Sequence, residues 1–254
     1  MLSVPSKSPT SSTPVARVSP LTAVLLVAGM LRLAAAAPSE AHGPTLADAA
    51  ERSDWNAVRE GLRLGTDPNG TRADGMTALH WAVDRDETSI ASALLDAGAR
   101  VAVTNVFGVT PLALACRNGN AELVERLLAR GADPNSSIRG GETALMTAAR
   151  TGRLGPVRLL LRHGADPGAK ERSGQTALMW ASADGHAEVV EALLAAGADI
   201  HASLPDSGFD AFFFAVREGR TEVVRRLLKA GRDVRAVMEP RRPTSKGPAR
   251  GTGA

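Results

Sequence analysis

Residues 174–199 read GQTALMWASADGHAEVVEALLAAGAD, two apolar runs opened, divided and closed by Gly174, Gly185 and Gly197. A single helix running through them would lose about 1 kcal/mol at each interior glycine relative to alanine. The glycines are therefore punctuation. TALMWASADG and HAEVVEALLAAG become two short helices, each ended by a glycine where the chain turns left-handed. The stretch is a helical hairpin.

The same hairpin recurs on both sides of it. LLDAGAR, LLARGAD, LLRHGAD, LLAAGAD and LLKAGRD place Gly98, Gly131, Gly164, Gly197 and Gly231 at spacings of 33, 33, 33 and 34 residues. A second series, Gly75, Gly108, Gly141, Gly174 and Gly208, has the same spacings and precedes MTALHWA, VTPLALA, ETALMTA, QTALMWA and FDAFFFA. An earlier unit, GPTLADAAERSDWNAVREGLRLGTDPN, is in phase, since Gly65 lies 33 residues before Gly98 and Ala49 lies 33 before Ala82. Six units run from Gly43 to about Val237.

Each column of the repeat has a physical reason. Thr77, Thr110, Thr143 and Thr176 stand where a first helix starts, where a hydroxyl takes up an orphan N–H. Leu79, Leu112, Leu145, Leu178 and Phe212 form one core column, and Ala82, Ala115, Ala148, Ala181 and Ala215 let paired helices approach closely. In the second helices Val124/Leu127/Leu128, Val157/Leu160/Leu161, Val190/Leu193/Leu194 and Val224/Leu227/Leu228 repeat as a buried stripe. No unit buries both faces alone, so neighbours stack into one continuous core, an elongated and slightly curved solenoid.

Gly75-Met76-Thr77-Ala78-Leu79-His80-Trp81-Ala82 and Gly131-Ala132-Asp133-Pro134-Asn135 resemble the two ends of the ankyrin repeat. The resemblance implies an all-α solenoid of stacked helical hairpins with short β-hairpin loops. Its repeats fall at about 43–74, 75–107, 108–140, 141–173, 174–207 and 208–237.

Composition agrees with a soluble helical body: 44% apolar and 22% charged residues, 3% aromatic, and no tyrosine. The net charge of +3 sits at the ends. Residues 1–44 carry +2 and 232–254 carry +4, which leaves −3 on the repeats. A weakly acidic body excludes the basic stripe that nucleic-acid binding needs. Cys116 is the only cysteine, so there is no intramolecular disulfide, and its small-residue setting reads as core.

Residues 1–37 read as a targeting segment, with Lys7 and Arg17 before the apolar run Leu21–Leu31 and cleavage near Ala36 or Ala37. Export to a periplasm or secretion follows, with no stable membrane span after cleavage, because the run is too short to cross. The alternatives are an uncleaved anchor, or a start at Met30 that leaves a cytoplasmic protein. Residues 38–42 are a linker, and 238–254 are a Pro/Gly/Arg-rich tail whose closing GTGA also resembles the opening of a further repeat.

The chemistry of an enzyme is missing from the sequence. His42, His80, His163, His186 and His201 have no metal-ligand spacing, and there is no phosphate loop, nucleophile elbow or paired-carboxylate motif. No cofactor is expected. Trp81, Leu114, Trp180 and Phe214 share one column and read as packing residues. Phe107 stands at a hairpin tip where other units have Asp74, Gly140, Ser173 and Ser207, so its ring is expected to be exposed.

The ankyrin resemblance implies a binding module that contacts a protein partner along the hairpin tips and first helices. On that surface Arg85, Arg117, Arg150 and Arg217 from the interhelix loops and Arg72, Arg139 and Arg172 from the hairpins form a row suited to partner carboxylates, with Phe107 as an apolar anchor. The expected protein is a monomeric, non-enzymatic scaffold or inhibitor. The alternative is the N-terminal recognition region of a longer ankyrin protein.

Overall fold

A computed structural model describes residues 45–233. The expected leader, linker and tail, and the repeat limits at Gly43 and Val237, lie outside the described residues. Twelve helices follow one another in six hairpins among the described residues. The first helices are α1 (Leu46–Glu51), α3 (Ala78–Asp84), α5 (Pro111–Asn118), α7 (Ala144–Thr151), α9 (Ala177–Asp184) and α11 (Ala211–Arg217). The second helices are α2 (Trp55–Arg63), α4 (Thr88–Asp96), α6 (Ala121–Ala129), α8 (Leu154–Arg162), α10 (Ala187–Ala195) and α12 (Thr221–Lys229).

The helix starts are set by the capping residues the sequence marks. Thr77, Thr110, Thr143 and Thr176 accept hydrogen bonds from the backbone N–H three residues on. Thr45 and Asp210 do the same for the first and last units. Such a cap stabilises a helix by about 1 kcal/mol, which matters in helices of two turns. Their far ends turn through left-handed Gly119, Gly152 and Gly185. In the first two units Ser53 and Asp86 hold the same conformation at φ 58° and 60°.

First helices pack on first helices and second on second along the stack. The leucine column is buried from Leu79 to Leu178, and the alanine column from Ala82 to Ala215 is fully inaccessible. Each buried leucine contributes about 1.5–3 kcal/mol relative to exposure, so the core's stability is shared among the units that bury one. Cys116 lies inside it, where burial pushes its thiol well above the usual value. Trp81, Leu114 and Phe214 are buried and Trp180 is half-buried, in keeping with a packing column.

The interunit loops are sparer than β-hairpins. Among the described residues there is no strand, only the single antiparallel bridges Thr71↔Thr77, Ser137↔Thr143 and Ser203↔Asp210. Each loop keeps a bond of its own, such as Asn105 N–H to Val109 O, while the following amide of the second, third and fourth loops turns to the preceding loop of the stack.

Candidate interaction surface

The loop tips form a backbone ladder. Val106 N–H donates to Asp74 O at 2.9 Å, Arg139 N–H to Phe107 O at 3.3 Å, and Arg172 N–H to Gly140 O at 2.7 Å. The glycine before each first helix allows this approach: a Cβ on Gly75 would lie 3.0 Å from Asn105 Cα, and one on Gly141 would lie 3.2 Å from Glu171 Cα. Val106, Arg139 and Arg172 therefore stand in one row, one residue per unit. Pro205 occupies the next place in that row and has no N–H to give.

Val106 and Phe107 are 45% and 46% exposed at the second tip. Phe107 is where the sequence places it. Arg139 and Arg172 are exposed too, and among the described residues neither guanidinium has an ion pair or hydrogen bond. Exposed Lys170 is equally free of partners there.

The other candidate arginines are engaged by neighbours. Arg72 bridges Asp48 at 2.5 Å and Glu51 at 2.9 Å. Burial raises the Asp48 carboxyl's pKa, but hydrogen bonds from Thr45 and the Arg72 charge outweigh it and hold the group below the ordinary value. Arg85 donates to Ser53 Oγ and, at 3.2 Å, to Glu51 O, and its guanidinium lies 5.6 Å from the Trp81 ring centre. Arg117 pairs with Asp84. Arg150 reaches Glu142 at 3.4 Å and stacks 4.9 Å over Trp180. Arg217 pairs with Glu218 at 2.8 Å and lies 5.0 Å over Phe214. Exposed pairs of this kind contribute roughly 0–1 kcal/mol each, and the ring contacts about as much, so their main effect is to fix side-chain direction.

Several polar links are absent from the sequence-level reading. Asn120 spans from α6 to Asp86 Oδ1 and Thr88 Oγ1, Asn118 donates to Val83 O at 2.7 Å, and Asn69 and Asn135 donate to Gly98 O and Gly164 O. Glu142 accepts from Thr147 Oγ1 at 2.8 Å, and Gln175 accepts from Trp180 Nε1 at 2.7 Å. At the equivalent place Met76 offers no such acceptor, and Trp81 Nε1 is buried without a partner among the described residues.

Two of the histidines act as structure. His80 is fully buried, its Nδ1 accepting from Thr77 N–H at 3.2 Å and its Nε2 donating to Val109 O at 3.1 Å. This arrangement fixes a neutral tautomer. Burial depresses its pKa, against smaller opposing contributions from Val109, Asp74, Val103 and Asp84. His186 Nε2 donates to Arg150 O at 2.9 Å, tying α10 to the unit before it. Among the described residues no three His, Cys, Asp or Glu side chains are grouped as a metal ion would need, and no helix is long and apolar enough to cross a membrane.

A family model described as ankyrin repeats (3 copies) matches residues 46–138, 135–204 and 157–238. No curated protein matches the chain.

Proposed function

Because the chain belongs to the ankyrin repeat family, whose members generally bind other proteins, we propose that it is a non-enzymatic protein-interaction module in which each of the six hairpins is one repeat. It acts as a monomeric scaffold or inhibitor, and its partner lies along the loop tips and the first-helix side. The observation that carries this reading is the pairing of exposed Val106 and Phe107 with Arg139 and Arg172, which have no ion pair among the described residues, in one ladder-fixed row. An apolar anchor beside exposed guanidiniums suits a partner with a hydrophobic residue near carboxylates. Arg72 lies in the first loop, and Arg85, Arg117, Arg150 and Arg217, held by their neighbours, stand at the C-terminal ends of the first helices and extend the surface along them.

A photo-crosslinking residue at position 107 tests the assignment. It is expected to capture a defined partner, and capture should fall with Arg139→Glu plus Arg172→Glu, more so at low salt than at high salt. Capture from position 64 on the opposite side, unaffected by both reversals, places the contact elsewhere. The basic leader with its short apolar run supports export to a periplasm or secretion, with the start at Met30 as the cytoplasmic alternative. N-terminal sequencing of the mature protein separates them: a start near Ala37 or Pro38 fits export, and a chain that retains Met1 or starts at Met30 and is recovered from the cytoplasm rejects it.

A second reading, the N-terminal recognition region of a longer ankyrin protein, is favoured by the sixth hairpin. Phe212, Phe213 and Val224 are only half covered and Leu228 is exposed, whereas Leu178, Met179 and Val190 in the unit before are buried. Expression through the downstream reading frame tests it, since a following repeat should remove the apolar surface that a fluorescent dye detects.

A further inference from the structure

On the side away from the loop tips, α8, α10 and α12 enclose an open groove of about 780 Å³. Its floor is α10, where Ala192, Ala195 and Ala196 leave the surface recessed. The same three columns hold Arg126, Ala129 and Arg130 in α6 and its cap, and Leu159, Arg162 and His163 in α8 and its cap. No other described second helix has alanine in all three. Leu154 and Leu161 of α8 form a half-buried apolar wall.

The rim is charged unequally. Arg226 on the α12 side is neutralised by Glu191 and Glu222. On the α8 side Arg162 has one long contact, 3.3 Å to Glu125, and exposed Arg158 has no partner among the described residues. Glu188 and Glu191 also line the groove, both acting on Arg226, so the positive charge with no close counter-charge among the described residues is that of Arg158 on the α8 edge, beside the apolar floor and wall. Its volume accommodates about two turns of a helix, taken as a cylinder about 10 Å across rising about 1.5 Å per residue.

We propose that this groove receives an amphipathic helix from a protein partner, with leucine-like side chains over the alanine floor and acidic residues along the Arg158–Arg162 edge. Charge complementarity selects a separate partner over this chain's own ends, because residues 1–44 carry +2 and 232–254 carry +4. The site lies on different helices from the tip row, so it adds a second surface to the interaction module rather than restating the first.

The probe is a synthetic, helix-stabilised peptide of about four turns with a leucine stripe and glutamates on one flank, titrated into the full chain by fluorescence anisotropy. Replacing its leucines with alanine should abolish binding, and replacing its glutamates with glutamine should weaken binding about tenfold. Ala192→Arg and Ala195→Arg should each weaken binding at least about tenfold without changing thermal stability, since Arg126 and Arg162 occupy those columns in other units. Arg158→Glu should weaken the glutamate peptide and favour a lysine-flanked version of it. Arg139→Glu and Phe107→Ala should leave the binding unchanged, which separates this groove from the tip surface. Equal binding by the arginine variants, or by the glutamine peptide, overturns the proposal. So does a concentration-dependent dimer of the protein alone that Ala195→Arg abolishes, because the occupant is then a second copy.

Discussion

The joint between the third and fourth loop tips and the joint between the fifth and sixth units carry the same sequence mark and different physics. At the first, Arg172 N–H reaches Gly140 O at 2.7 Å, and a Cβ on Gly141 would press on Glu171 Cα at 3.2 Å. At the second, Pro205 removes the donor, the spacing of 34 residues inserts an extra one, and the ring makes the contact instead, a Cβ on Gly174 lying 2.8 Å from Pro205 Cδ. One unit further on, Gly208, in the same column as Gly141, would bring a Cβ within 4 Å of nothing among the described residues, though its φ is +71°. One glycine is needed for its left-handed backbone and for a close neighbour, the other for the backbone alone. A repeat pattern therefore records local geometry faithfully and neighbour contacts only where a neighbour follows.

Core truncation should expose this contrast most strongly. Leu145→Ala, fully inside the stack, is expected to cost about 2–5 kcal/mol in urea unfolding. Phe212→Ala in the same column but half covered should cost less than half of that. Equal losses mean that the sixth unit is as well packed as the fourth. Gly141→Ala should come next, losing about 1–2 kcal/mol for the left-handed backbone with a further loss from the pressed loop. Gly208→Ala should show the backbone part only. If the two match, the loops part without cost and the ladder is not a tight joint.

Acid sharpens the comparison within one column, where His80 in the second unit corresponds to Met146, Met179 and Phe213. Burial lowers the His80 pKa in the folded protein, so the unfolded chain takes up its proton first. Stability is complete above about pH 6.5 and falls as pH drops through that value towards the folded pKa, by at most about 1.4 kcal/mol per pH unit. Asp48 behaves in a lower window. Its folded pKa lies below 3.8, so its contribution is present above that value and is lost on further acidification. Urea midpoints for the wild type and His80→Gln between pH 7 and 5 measure the first window. A variant with the same slope as the wild type removes His80 as its source.

The smallest effect is at the broken rung. Pro205→Ala restores an N–H opposite Ser173, with a gain of about 1 kcal/mol at most offset by greater freedom of the unfolded loop. Amide exchange reads it directly: residues 106, 139 and 172 should be protected in both proteins. A protected amide at 205 in the variant extends the ladder, and an unprotected one shows that the extra residue, not the proline alone, parts the tips.

The helices, their caps and the core columns were legible because each depends on residues within one turn or one repeat. Thr143 and Leu145 carry their own explanation. The exposed Phe107 was legible for the same reason, as an aromatic in a column of small and polar residues. The roles of the arginines were not, since their contacts lie a whole period back: Arg117 meets Asp84, 33 residues earlier, and Arg226 meets Glu191, 35 earlier. Residues one period apart are neighbours in a stack, so pairing charges across 33 positions was the available signal. The alanine-floored groove was invisible for a related reason, as it depends on what α10 lacks compared with α8 and α12.

The ladder also bears on how the molecule yields to force. One backbone bond joins each tip to the next as far as Arg172, and none is available at Pro205. Tension applied along the stack loads those rungs and the helix contacts in parallel, except at the last junction, where the Pro205 ring against Gly174 takes the place of a backbone bond. Stretched between its ends in an optical trap, the protein should give way at the sixth hairpin at the lowest load, while the earlier units hold until a higher force shears their tips apart.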